Sequence, residues 1–279
     1  MKRVAVLGTV LLGTVLAGGG APRMPLMATI SYWNTADYEK LPAGGVALIN
    51  PQDGIVSATK AQVDLYKPVV EVAVKRGVRL LAYVPTGYGV RVPGKANGGG
   101  TTGQSLAMIK REIDSYVAAY GATNLYGIFF DEADEPCAQA VRDYAELGHY
   151  VRSKGLKVAV WNPGWPGDKA CFVKAAQKGD IVATFESDLK TYLTDKEVPA
   201  DLALASRVAR QRGVLTWHLI HTAVGPAALK AALGTLRQRQ PDYAYVTDLR
   251  DWTTGDNTWG KPPSYWQTEL ACLNISQCP

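Results

Sequence analysis

Short apolar segments alternate with longer amphipathic segments along most of this 279-residue chain. Several of the amphipathic segments end at a glycine, which is a common helix C-cap. This alternation is typical of parallel β-strands joined by right-handed helical crossovers. The predicted strands are 28–33, 46–50, 79–84, 126–130, 157–161, 181–185, 214–218 and 243–247, and the predicted helices are 60–76, 104–120, 137–154, 168–178, 200–212 and 226–239.

Eight strands with intervening helices predict an α/β protein with a (β/α)8 barrel of the TIM type, in a single domain over residues 22–279. A doubly wound open sheet is the alternative. That fold usually has a glycine-rich phosphate-binding turn after its first strand, whereas here the first predicted strand runs into Tyr32-Trp33-Asn34. The barrel is therefore favoured, and the sequence gives no sign of a second domain.

Residues 1–21 have the pattern of a secretory signal peptide. Lys2 and Arg3 precede an apolar run from Val4 to Leu16, and small residues follow it. A membrane-spanning helix is the alternative, but this run is shorter than the roughly 20 residues that cross a bilayer. We therefore expect a secreted, extracellular protein without a stable membrane anchor.

Charge and cysteine content narrow the possible partners. The formal net charge is +5 and its positive residues are scattered, so nucleic acid is not expected as a partner. An even number of cysteines in an exported chain suggests disulfides, and we expect Cys137–Cys171 and Cys272–Cys278. A zinc site is the alternative, but no CxxC or histidine at ligand spacing accompanies them. We expect a monomer without metal or cofactor.

The segment Tyr126–Glu135 places four carboxylates directly after a buried apolar strand. Buried charge is costly unless it is paired or used, so this strand is expected to end at a surface cleft. Strand alternation puts Asp131 on the face of Phe129, pointing over the barrel mouth, and lets Glu132 lean to the rim. The alternative is a solvated acidic turn before a helix, where the helix dipole favours carboxylates.

Other strands also end on polar or aromatic residues, which is where (β/α)8 enzymes place their chemistry. Glu186 and Asp248 follow the sixth and eighth strands; a helix-terminal charge and a turn cap are their respective structural alternatives. His218 could equally be an ordinary polar residue of the seventh strand. The candidate substrate-binding residues are Tyr32, Asn50, Tyr83, Tyr88, Arg91, Asn162, Trp217, His218 and Asp248.

Two carboxylates on different strands with aromatic residues nearby favour glycoside hydrolysis. The Gly-x-Ser-x-Gly motif of esterases is absent from the sequence. The three histidines do not make the Asp/His/His set of a metal-dependent deacetylase. The loop Gly94–Gly103 does not match a P-loop and is interpreted as a lid or a surface loop.

Four segments resemble, in the same order, the spherulin-4-like proteins of spherulation-specific family 4, classed as glycoside hydrolase family 135. They are Leu81–Arg91, Gly127–Glu132, Trp161–Gly164 and Thr184–Glu186, and the similarity spans roughly residues 28–250. The resemblance implies a (β/α)8 enzyme that cuts galactosaminogalactan, an exopolysaccharide of galactose and N-acetylgalactosamine, from within. It also implies that Asp131, Glu132 and Glu186 are the functional acids.

The chain is similar as well to glycoside hydrolase family 114, the endo-α-1,4-galactosaminidases, which use an Asp after strand four and a Glu after strand six. The Gly94–Gly103 loop and the Cys137–Cys171 pair depart from the family pattern, so the cleft shape and the fine substrate choice stay open.

The expected mechanism is retaining, with Asp131 as nucleophile and Glu186 as general acid/base at the ~5–5.5 Å carboxyl spacing of such enzymes. Glu132 would raise the pKa of a neighbouring acid by like-charge repulsion. Exchanged roles, and inversion across a gap of ~6.5–9.5 Å, stay open. The non-enzymatic alternative is a carbohydrate-binding or spore- or cell-wall-associated barrel protein, which needs the aromatic residues but not the acids.

Overall fold

The computed structural model describes residues 26–29, 35–88, 104–164, 167–255 and 257–274, which form an α/β fold around a curled parallel sheet. The strands are β1 (Leu26–Thr29), β2 (Val46–Ile49), β3 (Arg79–Pro85), β4 (Gly127–Asp131), β5 (Val158–Trp161), β6 (Ile181–Asp188), β7 (Leu215–His221) and β8 (Tyr243–Val246). The helices are α1 (Thr35–Tyr38), α2 (Lys60–Leu65), α3 (Lys67–Arg76), α4 (Leu106–Tyr120), α5 (Cys137–Ser153), α6 (Lys169–Ala175), α7 (Leu189–Thr194), α8 (Val198–Arg212), α9 (Pro226–Arg239) and α10 (Trp266–Asn274), with a 3-10 turn at Trp252–Thr254.

Strands β2 to β8 lie side by side in chain order, and each pairs in parallel with the next. This confirms the predicted α/β class and the parallel pairing. The short strand β1 pairs with β2 at Ala28 and Thr29 and with β8 at Leu26 and Met27. Because all these strands run the same way, the residues after β2 to β8 meet at one edge of the sheet, and the site lies there.

Two local predictions need correction, and three helices were not predicted. The first strand begins at Leu26 rather than at residue 28, and its predicted end falls in residues 30–34, which lie outside the described residues. The predicted helix 60–76 is two helices, because Tyr66 ends α2 and precedes α3, which has Pro68 in its first turn. A proline has no backbone N–H to continue a helix from the preceding turn. The short or late helices α1, α7 and α10 were not predicted.

Close contacts fix the end of β4 against its neighbours. A Cβ at Gly127 would lie 2.1 Å from the Val158 carbonyl oxygen, so only glycine allows this approach of β4 to β5. On the helix side, the Trp161 ring is stacked between Phe130 and Tyr144, with ring centroids 4.4 and 3.7 Å away. The Tyr144 hydroxyl donates to the Ala133 carbonyl at 2.9 Å. This packing therefore holds the acidic segment that follows β4.

The predicted Cys137–Cys171 disulfide is present and joins the starts of α5 and α6, with Cα atoms 5.9 Å apart. A disulfide is compatible with the predicted secretion. The predicted Cys272–Cys278 pair includes Cys278, which lies outside the described residues, as does the predicted signal peptide. Among the helices of the described segments, none has the length and hydrophobicity needed to cross a membrane.

Candidate active site at the carboxyl ends of the strands

A cleft of about 370 Å³ lies at the carboxyl ends of the strands. One side is formed by residues at or just after the ends of β4, β5 and β6, namely Asp131, Glu132, Asn162, Gly164, Glu186 and Ser187. The other lining residues are Tyr88, after β3, and His221, Asp251, Thr258 and Trp259, at or after the ends of β7 and β8. The cleft is acidic, because four of these residues carry carboxyl groups and none is a lysine or arginine.

Asp131 is the last residue of β4, and its carboxylate is held from both sides. The Tyr83 hydroxyl donates to Asp131 Oδ2 at 2.7 Å, and Asn162 Nδ2 donates to Asp131 Oδ1 at 2.7 Å. Burial raises the pKa of Asp131, and these two hydrogen bonds oppose that rise because they favour the ionised form. The neighbouring strands β3 and β5 thus orient the carboxylate.

Glu186 lies near the end of β6, after a register shift between Ala183 and Phe185 against β7. Such a shift changes where the following side chains point, so strand alternation alone does not give their direction. Asn162 Nδ2 donates to Glu186 Oε2 at 2.6 Å. Burial, and then the charge of Asp131, raise the pKa of Glu186 to about 7. Glu186 therefore keeps its proton much closer to neutral pH than an exposed glutamate does.

Asn162 links the two acids through a single nitrogen atom. Its Nδ2 is 2.7 Å from Asp131 Oδ1 and 2.6 Å from Glu186 Oε2, so these two oxygens cannot be further apart than the sum of those lengths. Asn162 Oδ1 in turn accepts from the Gly164 backbone N–H at 3.2 Å, which fixes the orientation of the amide. The prediction that the acids after β4 and β6 lie close together is thus consistent with this geometry.

Glu132 differs from its expected position. It has φ 56°, a left-handed conformation that ends the strand, and its side chain lines the same cleft as Asp131. The Gly87 backbone N–H donates to Glu132 Oε2 at 3.1 Å. Burial, and then the charge of Asp131, raise the pKa of Glu132 to about 7. Alternation failed here because β4 stops at Asp131, so its period does not extend to the next residue.

The predicted substrate-binding residues divide into three groups. Tyr88 and Asn162 line the cleft, and Tyr83 contacts Asp131 from β3. Tyr32, Arg91 and the Gly94–Gly103 loop lie outside the described residues. The structure places the others, Asn50, Trp217, His218 and Asp248, away from the cleft lining.

Each of these four has an evident structural role. Asn50 Oδ1 accepts from the Gly54 backbone N–H at 2.9 Å. Trp217 is fully buried, with its ring 5.5 Å from that of Phe129, and His218 Nδ1 is 2.8 Å from the buried Tyr192 hydroxyl. The Asp248 carboxylate accepts from the Ser264 backbone N–H at 3.1 and 3.2 Å. The turn-cap alternative fits Asp248 better than the predicted substrate contact does.

Sequence reasoning missed His221, Asp251, Thr258 and Trp259 as cleft residues. Strand β7 continues to His221 rather than ending at His218, and the last three follow β8 in a segment without regular strand or helix periodicity. The His221 and Trp259 rings meet edge to face, with centroids 6.2 Å apart. The available signal was a tryptophan and an acid in the loop after the last strand, where barrel enzymes place binding residues.

Within the described residues, no group of three or more histidine, cysteine, aspartate or glutamate side chains could hold a metal ion. The cleft brings together Glu186, whose pKa is near neutral pH, and the Asp131 carboxylate, which accepts from two donors. Such a pair can donate a proton to a leaving group while a second carboxylate attacks or stabilises positive charge.

Comparison with protein families gives one extended match. The model of the family described as Spherulin4, spherulation-specific family 4, matches residues 32–273. Spherulin-4 of Physarum polycephalum is 29% identical over 125 residues, which is 44% of this chain and 32% of that protein. The matched part therefore covers about a third of that relative's length.

Solved structures similar to this chain include glycoside hydrolases. The GH99 endo-alpha-mannosidase of Bacteroides thetaiotaomicron has a TM-score of 0.50 at 12% identity, and the alignment covers 86% of this chain and 78% of the mannosidase chain. The GH5_18 protein of Streptomyces cattleya, solved in complex with GlcNAc, has a TM-score of 0.53 at 11% identity, with 88% and 76% covered. At these identities the likeness shows a glycosidase-like fold and does not extend to activity.

Proposed function

This chain belongs to spherulation-specific family 4, and we propose that it is a glycoside hydrolase with Asp131 and Glu186 as its catalytic pair. The observation that carries this proposal is the shared Asn162 nitrogen, which brings both carboxylates to one point of an acidic cleft. We assign the active domain to residues 22–279 of a secreted monomer. We also propose that this chain is related to glycoside hydrolase family 135 and, more distantly, to family 114.

The proposed scaffold is a complete (β/α)8 barrel. Support comes from β1, which pairs with β2 on one side and β8 on the other. The position of the cleft also supports it, because the candidate acids lie at the carboxyl ends of β4 and β6, where barrel enzymes carry their chemistry.

We assign the nucleophile to Asp131 and the general acid/base to Glu186. Asp131 accepts two side-chain hydrogen bonds where Glu186 accepts one, so Asp131 is the acid of the pair that ionises first. Glu186 then keeps its proton, because the charge on Asp131 disfavours a second negative charge nearby. A glutamic acid with a pKa of about 7 is matched to proton donation near neutral pH.

The short distance between the acids favours retention of configuration. The upper limit set by the two hydrogen bonds to Asn162 is below the ~6.5–9.5 Å gap of inverting enzymes, which must fit a water between the acids. In the retaining reaction, Asp131 attacks the anomeric carbon while Glu186 protonates the leaving oxygen. Ionised Glu186 then takes a proton from the water that releases the sugar, and Asp131 is restored as a carboxylate.

The proposed substrate is an exopolysaccharide containing galactosamine and N-acetylgalactosamine, cut within the chain, as the family resemblance implies. The cleft supports an amino sugar, because Glu132 and Asp251 add carboxyl groups beyond the catalytic pair. Protonated amino groups are attracted to such a surface, whereas acidic polysaccharides are repelled by it. Tyr88 and Trp259 offer aromatic surface for sugar rings.

The test is incubation of the purified protein with galactosamine-containing and neutral control polysaccharides, followed by mass spectrometry of released oligosaccharides. We expect oligomers from the amino-sugar polymer, and nuclear magnetic resonance of the first-formed product should show the anomer of the substrate. Binding without release would instead favour a carbohydrate-binding protein. Release of the opposite anomer would refute the retaining assignment.

A further inference from the structure

Lys169, the first residue of α6, is a buried lysine next to the cleft. Only 1% of its surface is exposed, and its Nζ donates to the Gly164 carbonyl oxygen. Gly164 lines the cleft, and its N–H donates to the side-chain oxygen of Asn162. A short chain of contacts thus leads from Lys169 to the amide that bridges the two acids.

Helix α6 is itself well anchored, so Lys169 has a fixed starting point. The Asp168 carboxylate accepts from the Cys171 backbone N–H at 2.9 Å and caps the helix. Cys171 is bonded to Cys137 at the start of α5. The Phe172 ring centroid lies 5.8 Å from Lys169 Nζ. The disulfide and the cap therefore hold the start of the helix that carries Lys169, and the Phe172 ring lies beside its amine.

Acidic groups surround the Lys169 amine. A Cβ at Gly167 would lie 3.3 Å from Lys169 Nζ and 3.7 Å from Asp134 Oδ1, so these two charged groups are near neighbours. Glu186 on β6 and Asp201 on α8 also act on the amine. Burial lowers the pKa of Lys169 to about 8, and these acids oppose that shift. Lys169 is therefore mainly positive at neutral pH.

The charges that face Glu186 come from several elements. In addition to burial, Asp131 at the end of β4 and Asp251 after β8 raise the pKa of Glu186, whereas Lys169 on α6 lowers it. Glu132, Tyr88 and His221 share the same cleft. Because the described lining contains no lysine or arginine, the positive charge near Glu186 comes from behind that lining.

We propose that Lys169 is a positioning residue that fixes the loop carrying Asn162 and holds a positive charge beside Glu186. The proposal rests on the proposed function for its catalytic meaning, because Glu186 is the acid/base there. The positive charge of Lys169 lowers the pKa of Glu186 relative to the value that burial, Asp131 and Asp251 would produce without it. Glu186 can then act as acid in the first step and base in the second.

The test is Lys169→Met, which removes the charge and the donor but keeps an unbranched side chain. We expect the pH of half-protonation of Glu186 to rise by about 1 unit, since a nearby opposite charge typically lowers a carboxyl pKa by about 1–3 units. Carbon-13 nuclear magnetic resonance of protein labelled at the glutamate carboxyl carbons measures this, with Glu186→Gln to assign the signal. The basic limb of kcat/KM against pH should move upward by the same amount.

Three further variants keep this test decisive. Lys174→Met changes an exposed lysine of the same helix, and Lys169→Arg keeps the charge; both should leave the Glu186 midpoint near the wild-type value. If Lys169→Met does not fold, Lys169→Gln replaces it with a neutral donor. An unchanged Glu186 midpoint in a folded neutral variant would overturn the proposal. A raised midpoint in a protein that cleaves no polysaccharide would uphold the role of Lys169 and refute only the proposed hydrolase.

Discussion

The two sides of the cleft are built in different ways. At the ends of β4 to β6, Asp131, Asn162 and Glu186 are joined to one another by side-chain hydrogen bonds, and each follows or belongs to a strand of the sheet. Beyond β8, Asp251 and Trp259 lie in a segment whose turns are closed by local hydrogen bonds. Asp251 Oδ1 accepts from the Thr253 N–H at 2.8 Å, and Asn257 Oδ1 accepts from the Trp259 N–H at 3.1 Å.

This difference suggests a division of labour within the proposed active site. Groups that exchange protons or form bonds need positions fixed to a fraction of an ångström, which packed strands provide. Residues that recognise a substrate can lie on loops, which tolerate variation in length and sequence. We therefore expect substitutions on the strand side to lower kcat, and substitutions on the loop side to change KM.

The largest expected effect is that of Glu186→Gln. Loss of general acid/base catalysis should lower turnover about 10²–10⁴-fold while the fold is kept. With a substrate that has a good leaving group, the first step should persist and the glycosyl-enzyme should accumulate, and azide should restore turnover. In the wild type, activity should fall as pH rises through about 7, because Glu186 then loses the proton it must donate.

Asp131→Asn is the matched comparison for that experiment. It removes the proposed nucleophile, so it should lose activity without a burst of leaving group and without rescue by azide. Circular dichroism and melting temperature check that both variants are folded. A burst seen in Asp131→Asn rather than in Glu186→Gln would exchange the two roles.

The strand side could be predicted because its signals are local in sequence. A buried apolar strand followed at once by carboxylates is visible for Asp131, and the parallel alternation brings Glu186 to the same edge. The bridging geometry of Asn162 was not visible, since it depends on two hydrogen bonds between three strands. The direction of the Glu132 side chain was also not predictable, because Glu132 itself has φ 56° and ends the strand alternation.

The loop side could not be predicted, for a physical reason. Residues between β8 and α10 have no repeating pattern, and their positions follow from individual turns and tertiary contacts. Trp217 and His218 were expected in the cleft for a different reason: the end of β7 was placed too early, and both residues are buried within the strand.

The next largest effect, after those of the two catalytic acids, is expected for Asn162→Ala. Hydrogen bonds to charged groups typically contribute about 1.5–3 kcal/mol, so kcat should fall about 10–100-fold. Because Asn162 lowers the pKa of both acids, its removal should raise the pKa of Glu186 and shift the basic limb of the pH profile upward. Steady-state kinetics across pH measures both changes.

Asn50→Ala is the control for that variant, since Asn50 follows β2 and contacts the Gly54 N–H away from the cleft. It should lower the melting temperature with little change in the pH profile. Equal losses of kcat in both variants would mean that Asn162 acts through stability rather than through the acids.

A smaller effect is expected on the loop side. Trp259→Ala removes an aromatic face from the cleft, and since aromatic contacts contribute about 0.5–1.5 kcal/mol, KM should rise about 2–10-fold. We expect kcat to stay close to the wild-type value, because no hydrogen bond within the described part of the chain joins Trp259 to Asp131 or Glu186. Trp259→Tyr should restore most of the affinity. A loss in kcat with unchanged KM would break the proposed division between the two sides.

The smallest effect is expected for Asp248→Asn, although the sequence suggested a substrate contact for this residue. Its carboxylate accepts from the Ser264 N–H, and an asparagine oxygen can accept the same bond, so stability should change by about 0.5 kcal/mol or less. Because Asp248 does not line the cleft, kcat/KM should stay within about twofold of the wild type. Thermal unfolding and steady-state kinetics with one polysaccharide substrate measure these two quantities. A drop in kcat/KM at an unchanged melting temperature would mean that the substrate reaches the end of β8. The loop side of the cleft would then have to include that strand.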